Sequence, residues 1–312
     1  MPSRPAVHTA PTTCSAYSAR LGEPLAGTAP SAVAWLAIEQ PGPWGARALT
    51  ESHLDRGLGA ELSRRAEGTG VRIALIRRVG HHALTSCDAP RTVLICDTRP
   101  GFAAVRSFTV PDPRDLLDLD LAALGSGRLE TGTPRPDPLI LVCTNGKRDR
   151  CCALLGRSLA LDLAEPGSLG AADVWEADHL GGHRFAPTAL VLPTGYVYGR
   201  IDAATAMTAV GAASRGQVVT AQARGRSTWS RAGQAADLAL RTELQEFGAD
   251  AVRVVGEQRL DGERWSVDLV SDEIRYRAFV EESNVVEARP ESCGKTFGNP
   301  AHLHVTALEK AQ

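Results

Sequence analysis

The chain has 312 residues, of which 43% are hydrophobic and 22% charged, close to the globular average. That composition supports sizeable cores, excludes a disordered chain and, at about 150 residues per domain, suggests two units. With 34 basic and 36 acidic side chains the net charge is -2, without the basic excess that a general nucleic-acid binder needs.

No run approaches the roughly 18 consecutive apolar residues that span a bilayer. The first twenty residues have no apolar core after their early Arg4, so they do not read as a secretory signal. A cytoplasmic protein with no membrane and no nucleic-acid partner is expected. Seven cysteines (14, 87, 96, 143, 151, 152 and 293) make an odd count. In such a chain cysteines are expected as buried hydrophobes, metal ligands or redox thiols, not as a disulfide framework.

Taken in order, residues 1–13 are polar and Pro-rich and are expected to be a disordered tail. Residues 14–125 read as an N-terminal α/β domain. Its strands fall near 32–39, 71–76, 91–96 and 103–110, with a helix around 53–66. The Pro-rich segment 111–138 reads as a linker with a short helix. Residues 136–216 form a second unit: an apolar strand over 138–142, a helix over 153–163, and a strand over 173–177. A hairpin turning at Thr194-Gly195 and a helix over 203–215 complete it. The order β-α-β then β-β-α is that of a thioredoxin-like domain. Residues 217–312 read as a C-terminal extension, mostly helical over 217–247 and β-rich over 251–288. The fold class expected is therefore α/β.

Two segments carry chemistry: Cys143-x8-Cys152 with Cys151 adjacent, and His179-Leu180-Gly181-Gly182-His183. Both fall in one α/β unit, in loops that open on one edge of the sheet, so they can meet. Thiolates and imidazoles suit zinc, iron–sulfur or copper, and two of each complete a four-ligand set. The glycines between the histidines argue against an ordinary helix and let both rings turn inward. Lys147, Arg148 and Arg150 place positive charge beside the thiols, which favours thiolate. Spacing does not choose between structural zinc and a [2Fe–2S] cluster.

These stretches are similar to a known family. Leu141 to Ala153 and His179 to Pro187 resemble the cluster loops of the sucrase/ferredoxin-like family. Cys14-Ser15-Ala16-Tyr17, Gly22 to Ala29, Glu39 to Gly45 and Ser292-Cys293-Gly294-Lys295 resemble its other motifs. The resemblance implies a thioredoxin-like ferredoxin domain with a [2Fe–2S] cluster held by Cys143, Cys152, His179 and His183. The family's nine-residue step selects Cys152, with Cys151 as the alternative ligand. Arg148, Asp149, Arg184 and Asn145 would surround the ligands; Asn145 stands where the family usually has His, so altered hydrogen bonding is expected there.

Under that resemblance the protein is a one-electron carrier rather than an enzyme with its own substrate, serving an unidentified redox protein as donor or acceptor. Neutral imidazoles raise the expected potential to about -150 to +300 mV, and proton uptake on a ligand imidazole would lower it as pH rises. Arg148, Arg150 and Arg184 could dock an acidic partner. Two alternatives stand beside this reading. One is a thiol-dependent redox enzyme using Cys151 or Cys152; the other is a structural zinc protein with a two-Cys, two-His site. No carboxylate pair marks a glycosidase and no glycine pattern marks a nucleotide site. Cys96 is expected in the core, Cys87 in a loop, and His81-His82 and His302-x-His304 at the surface. Cys14 and Cys293 are left with a redox, structural or second-site role.

Overall fold

The computed structural model describes residues 13–84, 89–128, 131–284 and 287–311. The expected tail, apart from Thr13, and Cys87 lie outside the described residues.

The chain begins with helix α1 (Cys14–Arg20), capped by the Thr13 hydroxyl. Strand β1 (Ala34–Glu39) follows, then the short helix α2 (Ala48–Glu51), α3 (Arg56–Ala66), β2 (Val71–Arg77), β3 (Arg91–Asp97) and β4 (Ala104–Val110). The Pro-rich segment holds a 3₁₀ turn (Pro113–Asp118), α4 (Leu121–Gly125) and a short strand, β5 (Thr133–Arg135). Next come β6 (Leu139–Cys143), a single π turn (Cys152–Gly156) continuing into α5 (Arg157–Leu163), and β7 (Asp173–Ala177). The hairpin is β8 (Thr188–Leu192) and β9 (Tyr196–Gly199), followed by α6 (Ala203–Ala213), β10 (Ala223–Arg226) and α7 (Arg231–Leu244). The C-terminal part adds β11 (Val252–Arg259), β12 (Arg264–Ser271), β13 (Ile274–Ser283), β14 (Arg289–Pro290), β15 (Phe297–Gly298) and β16 (His302–Lys310).

Strands β1 to β10 join in one mixed sheet of ten, ordered β10-β9-β8-β6-β7-β2-β1-β3-β4-β5. The apolar runs in β1, β6 and β8 explain this: strands buried on both faces need no alternation. Along β6, Leu139, Leu141 and Cys143 face one core with Trp35 and Trp175. Ile140 and Val142 face the other, beneath α5 and α6. Helix α3 covers the β1–β3 end of the sheet through Leu58 and Leu62. The sheet crosses from the N-terminal to the central segment at one joint, where β2 pairs antiparallel with β7 through Ile76–Ala177 and Arg77–Glu176. A separate antiparallel sheet, β11-β12-β13-β16, packs on α7.

The helical reading of 217–247 holds only from Arg231. Residues 223–226, expected as helix, form edge strand β10 against β9, with a bulge between Ala223 and Gly225. Arg224 and Arg226 are buried there because backbone carbonyls satisfy them; Arg226 donates to Thr98 O (2.8 Å) and Ala249 O (2.7 Å). His302 is also a correction. Expected at the surface, it is buried at the start of β16, while His304, His81 and His82 are exposed. Cys96 lies in the core. Among the described residues no helix is long and apolar enough to cross a membrane.

Candidate metal centre

The topology brings the two expected segments together. Strands β6 and β7 are parallel neighbours, with Cys143 opposite Ala177, so the loops that leave them open at the same end of the sheet. Cys143 is the last residue of β6; His179 is two residues beyond β7. Thr144 N–H donates to Ala177 O (3.0 Å), which ties the two exits to each other.

The first loop turns on Asn145. Its side-chain oxygen accepts from Lys147 N–H, and its amide nitrogen donates to Gly45 O at 2.9 Å. The chain then enters the π turn at Cys152. Gly156 lies so close to the end of β6 that a Cβ there would sit 2.0 Å from Cys143 O. That contact keeps Cys152 against Cys143, in the same buried cluster. In the second loop Gly181 and Gly182 both take positive φ, +75° and +67°, which reverses the chain inside the His179–His183 interval. The two imidazoles stack with centroids 5.8 Å apart and planes at 29°.

Cys143, Cys151 and Cys152 are almost completely buried. The Cys143 thiol is in hydrogen-bonding contact with Cys152 and His179. The Cys152 contact draws it well below the ordinary thiol range; burial opposes, and His179 adds to the lowering. Cys152 is pushed the other way, first by its bond to Cys143 and then by burial. His183 is lowered, chiefly by desolvation, although Asp149 opposes this from 3.9 Å. Asp178, beside His179, is raised to about 6 by burial. The Nδ1 atoms of His179 and His183 are buried and have no hydrogen-bond partner.

The surroundings are less uniform than expected. Arg148 is exposed at the rim of a groove of about 530 Å³ that reaches His179 and is lined also by Arg47, Arg64 and Arg72. Arg184 turns away from the thiols; its Nε donates to Glu23 Oε1 (2.8 Å), which also accepts from Arg289 (2.6 Å).

Cys151 does not join Cys143. It faces the opposite way, into a group that sequence reasoning missed. Cys14 on α1, Cys151 and Cys293 on the turn between β14 and β15 converge on Asp149. The ligand atoms of these four residues all lie within 4.8 Å of one another; the four expected ligands do not form such a set. This Cys-rich group can bind a metal. Its thiols are 137 and 142 residues apart in sequence, too far for any spacing rule to connect them. In this group the hydrogen bond from Cys14 holds Cys151 down at about 6 against the effect of burial.

Comparisons with curated proteins and with solved structures yield no match. A family model does match, over residues 25–225, which takes in the loops after β6 and β7 and most of the ten-stranded sheet. The span is about two thirds of the chain and contains Cys143, Cys151, Cys152, His179 and His183, while Cys14 and Cys293 lie outside it. The chain belongs to the sucrase/ferredoxin-like family.

Proposed function

We propose that the protein is a one-electron carrier whose [2Fe–2S] cluster is held by Cys143, Cys152, His179 and His183. The observation that carries the reading is that one loop holds two buried imidazoles with partnerless Nδ1 atoms and the neighbouring loop, at the same end of the sheet, holds two buried thiols. A binuclear centre spreads its ligands over two metal atoms, so two thiols on one loop and two imidazoles on the next suit a cluster with a pair of ligands on each iron. When bound, such a cluster supplies a one-electron couple expected at about -150 to +300 mV.

The chain's own part is to position and shield. The β6 strand end and the π turn fix the two thiols, and the paired glycines turn the imidazoles toward them. Leu180 and Trp175 exclude water from the inner side. We read the central segment as a thioredoxin-like unit. Its support is the strand order β9-β8-β6-β7, with β6 and β7 parallel and β8 and β9 antiparallel. The Arg-lined groove at His179 suits an acidic redox protein as donor or acceptor, and free thiols in this number suit a reducing compartment. The low value of Cys151 would favour a thiol enzyme, but that thiol is only 1% exposed.

Anaerobic purification, metal analysis and EPR of the dithionite-reduced protein test the proposal. The expected result is a red-brown protein with about two irons per chain and a reduced-cluster signal. Cys152→Ser should abolish the signal, and Cys151→Ser should keep it. A colourless, iron-free protein, or a signal lost with Cys151 and not with Cys152, would refute it.

A further inference from the structure

We propose that Cys14, Cys151, Cys293 and Asp149 form a second metal site, separate from the cluster site, that binds one zinc ion through three thiolates and a carboxylate.

The distances carry the argument. The three sulfurs form a near-equilateral triangle: Cys14 to Cys151 is 3.5 Å, Cys151 to Cys293 is 3.3 Å, and Cys293 to Cys14 is 3.6 Å. A tetrahedral zinc with bonds of about 2.3 Å to sulfur separates two of its sulfurs by about 3.8 Å. With an oxygen ligand at about 2.1 Å, the sulfur–oxygen separation is about 3.6 Å. Cys14 Sγ lies 3.7 Å from each Asp149 oxygen. The sulfur triangle and the Cys14–Asp149 separation are therefore within about half an ångström of what a single tetrahedral ion needs, and every ligand atom of the group lies within 4.8 Å of the others. A [2Fe–2S] cluster puts at most two terminal ligands on each iron, so the third thiolate would sit on the other iron and much further from the first two, unlike this compact triangle. A disulfide needs two sulfurs at about 2.0 Å and would leave the third outside; nothing singles out one pair here.

The support around the group is that of a ligand set. Asp149 is oriented by three donors: Cys151 N–H to Oδ1 (2.9 Å), and Ser292 hydroxyl (2.9 Å) and Cys293 N–H (2.8 Å) to Oδ2. Cys14 and Cys151 are at most 1% exposed and Cys293 is half-buried; four protein ligands leave no open coordination position, as in structural zinc sites. Its ligands come from the N-terminal helix, the cluster loop and the C-terminal turn, which are not otherwise consecutive. Zinc here clips both ends of the chain onto the loop that carries Cys152. Asp149 also lies 3.9 Å from His183 Nε2, so the two sites are neighbours.

The test reads zinc and iron separately. Protein purified under reducing conditions is analysed for metals and by X-ray absorption at the zinc edge. About one zinc per chain is expected, with three sulfurs near 2.3 Å and one oxygen. The Cys14→Ser/Cys293→Ser variant should lose at least about nine tenths of its zinc while keeping iron, and Cys143→Ser should lose iron while keeping zinc. Circular dichroism checks folding of each variant; if the double variant is unfolded, the wild-type absorption edge decides alone. Zinc-free wild-type protein, a zinc shell with two nitrogens, or a disulfide mapped among the three cysteines would overturn the proposal. Absence of iron, by contrast, would strike only the cluster reading.

Discussion

Replacing Glu176 by glutamine removes one charge from the joint of the ten-stranded sheet and leaves the side chain's size unchanged. Arg77 and Glu176 face each other across β2 and β7 with side chains 2% and 3% exposed, and their nearest atoms are 2.6 Å apart. Arg77 also donates to Gly42 O (2.8 Å) and lies over the Trp44 ring, 3.7 Å from its centroid. Glu176 accepts from Gly80 N–H and from the Thr144 hydroxyl, next to Cys143. In the variant the guanidinium stays buried with its counter-charge gone, a change that typically costs about 3–5 kcal/mol. The amide oxygen and the Trp44 face retain part of the interaction, so we expect about 3 kcal/mol, or roughly 5 °C in Tm for a chain of this size. The pH dependence fixes the cause. Burial alone would raise the Glu176 carboxyl; Arg77, Gly80 and Thr144 more than reverse that, and its folded pKa lies below the unfolded value of about 4.3. The unfolded state therefore binds the proton first on acidification. The stabilisation is complete above about pH 4.3 and is lost as pH falls through the folded value. Thermal melts of wild type and Glu176→Gln should thus differ at pH 7 and converge in acid. The double variant Arg77→Met/Glu176→Leu should recover much of the loss. A gap under about 2 °C at pH 7, or one that persists unchanged in acid, would refute the reasoning.

Three further outcomes follow from the same geometry. Gly156→Ala puts a methyl 2.0 Å from Cys143 O, so the π turn must shift; iron content should fall by more than half while far-ultraviolet circular dichroism stays near wild type. Glu23→Gln leaves the buried Arg289 guanidinium without its charge partner and weakens the hold on Arg184. Limited proteolysis should then cut the segment around 287–300 several-fold faster. Asp237→Asn, beside the fully buried Arg241 and the Tyr196 hydroxyl, should cost about 3 kcal/mol in denaturant melts without altering metal content.

Most strands were legible because they are buried on both faces. Runs such as Leu139 to Cys143 and Thr188 to Leu192 contain no residue that water would claim, and their lengths rule out helices. Strand β10 was not legible, since Ala-Arg-Gly-Arg is a core strand only where two guanidiniums find carbonyls from distant loops. Strand β5 and the last strand, β16, lack that apolar continuity as well; β16 shows its partner β13 a mixed face of His, Thr and Glu. The joint between β2 and β7 was also hidden. It pairs strands from two segments that each look self-sufficient, and its key contact is an ion pair that spacing does not signal.

The two-cysteine step at 151–152 shows where sequence reasoning stops. Adjacent residues at the start of a helical turn point about 100° apart, so two neighbouring thiols cannot both face one centre of modest size. One must serve a different environment or none. The segment alone leaves open which one, because both have identical chemistry and nearly identical distance from Cys143. The fold separates them through Gly156: only with a glycine there does the turn press close enough to β6 for Cys152 to meet Cys143. Once Cys152 is committed inward, Cys151 necessarily faces α1 and the C-terminal turn, where Cys14 and Cys293 already stand. Asp149, two residues before Cys151, then lies between the groups, accepting from the Cys293 side and lying 3.9 Å from His183. A change at either thiol group should therefore register at the other. Cys293→Ser, far in sequence from the proposed iron ligands, should alter the EPR line shape of the proposed reduced cluster without removing its iron, and an unchanged line shape would show that Asp149 transmits nothing.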